Sequence, residues 1–199
     1  MLIQGRHPST LTKEFAKKMQ SKKFDAYRLL HTESSFLMSE ATHTGYKEDG
    51  VEKYEILATL DSKTCEICGE LDGNVYEVGK EITGVNMPPF HPLCRCTDVP
   101  HYADTPTKGM ARVARDPETG KTYMVPADMT YKHWHEQYVE KNPDKRLAER
   151  KQRNKKIDNE QFQRYRKILG KDAPETLDSF QTMKYTDSEK WNAKKREFA

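Results

Sequence analysis

All four cysteines of the 199-residue chain fall in two short patches: Cys65-x-x-Cys68 within TCEICG, and Cys94-x-Cys96 within PPFHPLCRC, which also supplies His91. Zinc takes four thiolate or imidazole ligands in a tetrahedron, and a C-x-x-C knuckle offers two sulfurs from one tight turn. Cys65, Cys68, His91 and Cys94 therefore form a complete ligand set, with Cys96 as the alternative fourth donor. Four protein ligands leave no open position, so the zinc would be structural. It would fasten the two ends of the intervening loop, and its binding free energy would appear as folding free energy. Two other readings use the same residues. Free cysteines are among the most buried side chains and can simply pack. A catalytic thiolate would need a base within hydrogen-bond reach and an orienting third group. His91 stands three residues from Cys94, but the sequence places no orienter and no oxyanion donor.

Several elements must position these donors. Residues 9–45 are helical in pattern, with Ser9 or Thr10 as a cap and Leu11, Phe15 and Met19 four apart on one face. A second helix is expected over residues 25–44, ending before Gly45 and Gly50. Residues 51–60, VEKYEILATL, alternate as a strand with Tyr54, Ile56 and Ala58 on one side, and deliver Asp61 and the first cysteine pair to its end. Asp72-Gly73 followed by Val75, Tyr76 and Val78 predicts a short hairpin, and Pro88-Pro89 ends any regular element. A second hairpin is expected in ARVARDPETGKTYMVP, turning at Asp116, Pro117 and Gly120. Helices are then expected over residues 128–141 and 158–170, separated by Asn142-Pro143. The polar run 144–156 reads as an exposed helix or a tether.

Thr32-Glu33 reads as a polar pair turned toward the cysteine module, or as an ordinary helical hydrogen-bonding pair. Asp61 reads as an acceptor that sets the knuckle or as an Asx turn. Arg95 reads as a neutraliser of thiolate charge, a phosphate contact or a solvated side chain. His133 and His135, two apart on a helix, do not face each other, so no second metal site is expected there.

Charged residues make up 33% of the chain and hydrophobic ones 35%, with a mean hydropathy of -0.99. Little apolar material remains for a large core, so a compact domain with extended arms is expected. The expected organisation is α+β: a helical segment 1–50, a β-rich cysteine/histidine module 51–127, and a basic helical arm 128–199. A net charge of +3 does not by itself imply nucleic-acid binding, but residues 131–170 carry twelve Lys/Arg against six Asp/Glu. No apolar run approaches the ~20 residues of a membrane span, and the first residues lack a signal-peptide core, so no membrane partner and a reducing cytoplasm are expected.

The stretches RLLHTE, GVEKYEILATLDSKTCEICGELDGNVY and GVNMPPFHPLCRCTDVPHY, in this order and spacing, resemble the Mu F-like family of phage minor head proteins, in the form found in phages of Gram-positive bacteria. The resemblance implies a virion component in the capsid interior or at the portal vertex, present in host cytoplasm during assembly. It implies portal and capsid or scaffold proteins as partners, packaged DNA as a further one, and a non-enzymatic part in DNA packaging or ejection. It also implies that the chain corresponds to the C-terminal portion of longer relatives. Two rival functions are a zinc-containing nucleic-acid-binding protein or nuclease, and a phage-encoded effector or toxin. The nuclease would need a catalytic histidine with acidic magnesium ligands, whereas His91 is committed to the knuckle.

Overall fold

A computed structural model of the chain describes residues 7–104 and 109–198. Of the expected segments, residues 1–6 of the helical part, 105–108 of the β-rich module and 199 of the basic arm lie outside the described residues. The fold is α+β, and the chain divides into two compact units. One comprises Met1–Leu60, Thr64–Val113 and Met124–His133; the other comprises Asp61–Lys63, Ala114–Tyr123 and Trp134–Ala199. No helix among the described residues is long and apolar enough to cross a membrane.

In the first unit a 3-10 turn (Pro8–Thr10) leads into α1 (Thr12–Lys18), which packs on the long α2 (Lys23–Glu48). Leu11 occupies the N-cap position of α1, in place of the Ser9 or Thr10 expected from sequence. Strand β1 (Lys53–Leu57) is the centre of a three-stranded antiparallel sheet. It is flanked by β2 (Val75–Glu77), with Tyr54 opposite Tyr76, and by β3 (Thr97–Pro100), with Glu55 opposite Val99. The alternation in residues 51–60 is realised as burial, since Tyr54 and Ile56 are fully buried and Ala58 nearly so. Tyr54 and Ile56 pack with Tyr46, Val51, Leu71, Tyr76, Val78 and Phe90, and Ala58 packs with Cys68 and Cys94.

The hairpin expected after Asp72-Gly73 does not form. Asp72 instead closes a short helix, α3 (Glu66–Leu71), and β2 runs back along β1. A three-residue strand cannot bury a face by pairing with its own neighbours, and it is stabilised here by the existing edge of β1.

Strands β4 (Ala111–Arg115) and β5 (Thr122–Pro126) form the second hairpin as expected. Asp116 shapes its turn, accepting the backbone N–H groups of Glu118 (3.0 Å) and Thr119 (2.9 Å), and Gly120 takes the left-handed conformation with φ 69°.

In the chain beyond, residues 128–141 are only partly α-helical: α4 (Tyr131–Trp134) continues as a π-helical stretch (His135–Glu140). In the second unit, Asn142 and Pro143 open α5 (Pro143–Leu169), a continuous helix through the polar run. The Asn142 side chain accepts from the N–H groups of Asp144 and Lys145, and Pro143 occupies the first helical turn. Phe162 and Tyr165 of α5 meet Phe180 of α6 (Leu177–Thr186) and Trp191 and Phe198 of α7 (Ser188–Phe198). Beside this aromatic core the buried Asp158 carboxylate accepts from Lys184, Gln181 and Tyr185, each at 2.7 Å.

Candidate metal centre

Cys65 sits in extended conformation at the N-cap of α3 and Cys68 lies within its first turn. Positions three apart on a helix share a face, so both sulfurs emerge on one side. Glycine follows Cys68 for a steric reason. A Cβ built on Gly69 would lie 2.5 Å from Cδ1 and 2.8 Å from Cε1 of the Tyr131 ring.

The second patch is held by the helices and the sheet together. The N–H of Leu93, a residue at φ 61°, donates to Thr32 Oγ1 on α2 at 3.2 Å, while that hydroxyl donates to Arg28 O at 2.7 Å. Thr32 thus acts both as a helical back-bonder and as an anchor for the loop between His91 and Cys94. The Cys94 N–H donates to His91 O at 3.1 Å, which closes a turn between the two donors. Strand β3 begins one residue after Cys96, so pairing with β1 fixes the far end of the patch.

These constraints bring all five donors together. Two groups of three emerge, Cys65–Cys68–His91 and Cys68–Cys94–Cys96, in each of which every ligand atom lies within 4.8 Å of the others, and Cys68 is common to both. His91 Nε2 is 3.3 Å from Cys65 Sγ and 3.1 Å from Cys68 Sγ, and Cys68 Sγ is 3.9 Å from Cys94 Sγ. A regular tetrahedron built on Zn–S of about 2.3 Å and Zn–N of about 2.05 Å has S···S edges of about 3.8 Å and S···N edges of about 3.5 Å. The observed separations are close to those edges. His91 Nδ1 lies 2.8 Å from the carbonyl oxygen of Pro92. A carbonyl only accepts, so Nδ1 carries the proton and the lone pair of Nε2 faces the sulfurs, the tautomer a metal requires.

The thiols of Cys68, Cys94 and Cys96 perturb one another. Hydrogen bonds from the Cys68 and Cys96 thiols, with further ones from the N–H groups of Phe90 and Cys96, hold the Cys94 thiol far below the ordinary value despite burial. Cys68 is pushed up by its hydrogen bonds to Cys94 and Cys96 and by burial. A metal takes its cysteine ligands as thiolates, so binding here would release protons from the sulfurs it engages. Cys68 and Cys94 are each 3% exposed, and Ala58 and Phe90 pack over them.

Other side chains weighed from sequence take lesser places. Asp61 Oδ1 accepts the Lys63 N–H at 2.9 Å, an Asx turn. Exposed Arg95 donates to Thr64 Oγ1 at 3.4 Å. His135 Nε2 lies 2.9 Å from Glu149, and neither His133 nor His135 joins a metal-capable group among the described residues.

Two arrangements that support the centre were missed in sequence. The fully buried carboxylate of Asp72 accepts from the N–H groups of Ala58 and Tyr131, both at 2.6 Å, and from the Arg112 guanidinium at 3.0 and 3.1 Å. It ties the end of α3 to β1, β4 and the start of α4. His43 of α2 is buried between two carboxylates, with Nδ1 3.0 Å from Glu81 and Nε2 3.4 Å from Asp98. The second contact is a charge approach without hydrogen-bond alignment. Burial pushes the Glu81 carboxyl up, but the N–H groups of Gly79 and Glu81, the His43 ring and the Lys47 ammonium outweigh it and hold the group at about 2. Residues far apart in sequence supply both arrangements, so Asp72 read only as part of a turn signal and His43 only as one polar residue of a helix.

The family model described as Phage Mu protein F like protein matches residues 1–99, about half of the chain. The match takes in Thr32, all four cysteines and His91, and stops before Arg112 and the helices of the second unit. No curated protein and no solved structure matches the chain. With the matched residues assembling into one Cys/His centre, the chain belongs to the Mu F-like family of phage proteins.

Proposed function

We propose that this chain is a minor head protein acting in head morphogenesis, and that its first unit is a docking module clamped by one structural zinc ion. Cys65, Cys68, His91 and Cys94 would hold the zinc, with Cys96 as the alternative to Cys94. When bound, the ion would supply charge neutralisation for the thiolates and a cross-link between α3 and the loop before β3. The observation that carries this reading is that the family match and the five-donor cluster coincide within residues 1–99.

The role is one of interaction rather than catalysis. Portal and capsid or scaffold proteins are the partners, the capsid interior or portal vertex of the virion is the site, and packaging or ejection of DNA is the process served. His91 supports this reading: its Nε2 is directed at two sulfurs and its Nδ1 at a backbone carbonyl, so among the described residues no side-chain carboxylate orients it as a general base. The test is co-purification of the tagged chain with the portal and major capsid proteins of the same phage, alongside a plasmid-cleavage assay with added divalent metal. Retention of a head protein without cleavage is expected. Cleavage that Cys68→Ser or His91→Ala abolishes in a folded chain would overturn the non-enzymatic reading.

A further inference from the structure

Helix α5 carries Arg146, Lys156, Arg164 and Lys167, all exposed and none ion-paired to a carboxylate of the described residues. At 3.6 residues per turn these four fall within about a third of the helix circumference. Asp158, Phe162 and Tyr165 occupy the opposite side and face α6 and α7. Arg153 lies in the same sector, bound to Glu149 at 3.0 Å, and Glu160 is the one exposed carboxylate there. The stripe runs from Arg146 to Lys167, 21 steps along the helix or about 32 Å at 1.5 Å per residue, close to the ~34 Å turn of a B-form duplex.

We infer that this face of α5 binds the phosphate backbone of duplex DNA without reading its sequence. Charge complementarity carries the assignment, because Lys and Arg spread along a rod match a polyanion whose charges recur along its length. A protein partner is disfavoured by the lack of an apolar centre. The exposed apolar side chains beside the stripe, Ile157 and Ile168, are eleven residues apart, about 16 Å along the axis, too far to form one anchored patch. The inference deepens the proposed head role and rests on it for the DNA being packaged DNA, but the surface is tested independently of any head protein.

The test uses the full chain and fluorescence anisotropy with two 30-base-pair duplexes of unrelated sequence, between 50 and 200 mM salt. Four phosphate contacts predict a slope of log K against log salt of about -3.6, or roughly 150-fold weaker binding over that fourfold rise, equal for both duplexes. Replacing Arg146, Lys156, Arg164 and Lys167 with Gln should remove most of the slope. Replacing Lys13, Lys17, Lys22 and Lys23 with Gln, the same loss of charge in the first unit, should leave it unchanged. Thermal melts confirm folding. Should the fourfold variant not fold, Arg164→Gln with Lys167→Gln should lower the slope by about 1.8. No duplex binding, an equal loss from both fourfold variants, or retention of a head protein that depends on this stripe while duplex binding does not, would overturn the inference. DNA binding through the stripe without any portal or capsid partner would leave it standing and count against the head-docking role alone.

Discussion

Replacing Asp72 with alanine removes a carboxylate that accepts four hydrogen bonds from completely inside the first unit. The Arg112 side chain, 15% exposed, is left without its counter-charge, and breaking a buried ion pair this way costs about 3–5 kcal/mol. The N–H groups of Ala58 and Tyr131 are orphaned as well, at about 1–3 kcal/mol each. The penalties overlap, because water entering the gap serves more than one donor, so a total near 5 kcal/mol is expected, comparable to the whole stability of a marginal domain. Arg112→Met should cost less, about 2–4 kcal/mol, since Asp72 keeps both N–H donors while the carbonyls of Ala58 and Met129 lose theirs. The double variant should fall short of the sum by about 2–3 kcal/mol. Amide hydrogen exchange in β1, at fixed free zinc, is the suitable assay, because both tryptophans, Trp134 and Trp191, lie in the second unit. A loss below about 1 kcal/mol for Asp72→Ala, or additivity within about 0.5 kcal/mol, would refute the view that Asp72 joins α3 to the sheet.

Three further outcomes follow from the same geometry. The Glu81 carboxyl is held at about 2 from an ordinary 4.5, so it stabilises the first unit above pH 4.5 and loses about 3 kcal/mol as pH falls toward 2. Glu81→Gln should therefore be less stable than the parent at pH 6, and the gap should close by pH 2.5 in urea unfolding; a pH-independent gap would contradict this. Gly69→Ala should destabilise by about 1–3 kcal/mol through its clash with the Tyr131 ring, and a second change, Tyr131→Ala, should cost less in that background than alone. Cys96→Ser should retain one equivalent of zinc and Cys94→Ser should lose it, as measured by native mass spectrometry; the reverse order would make Cys96 the fourth ligand.

The clustering of the cysteines with His91 was legible because it is written in local spacing: Cys65 and Cys68 share a turn, as do His91 and Cys94. Strand β1 was legible from the alternation of Tyr54, Ile56 and Ala58, and the turn at Asp116 and Gly120 from its residue types. What was hidden depends on partners distant in sequence. Four residues ending in Pro100 become β3 because β1 offers an edge, and the knuckle hides α3 because its residues also read as a turn. Asp72 read as half of a turn signal, yet its carboxylate is satisfied by residues 14, 40 and 59 positions away. The polar run after Asn142 became a single helix because its cap and first-turn proline are local. Asp158, Phe162 and Tyr165 then supply the inward face that α6 and α7 cover.

Metal content of the chain purified without added metal decides whether a zinc ion clamps the first unit. One zinc ion per chain is expected in the native mass spectrum, its removal by chelator loosening the first unit in hydrogen exchange while the amides of α5 and α6 stay protected. A metal-free chain whose first unit is equally protected with and without chelator would contradict the zinc clamp.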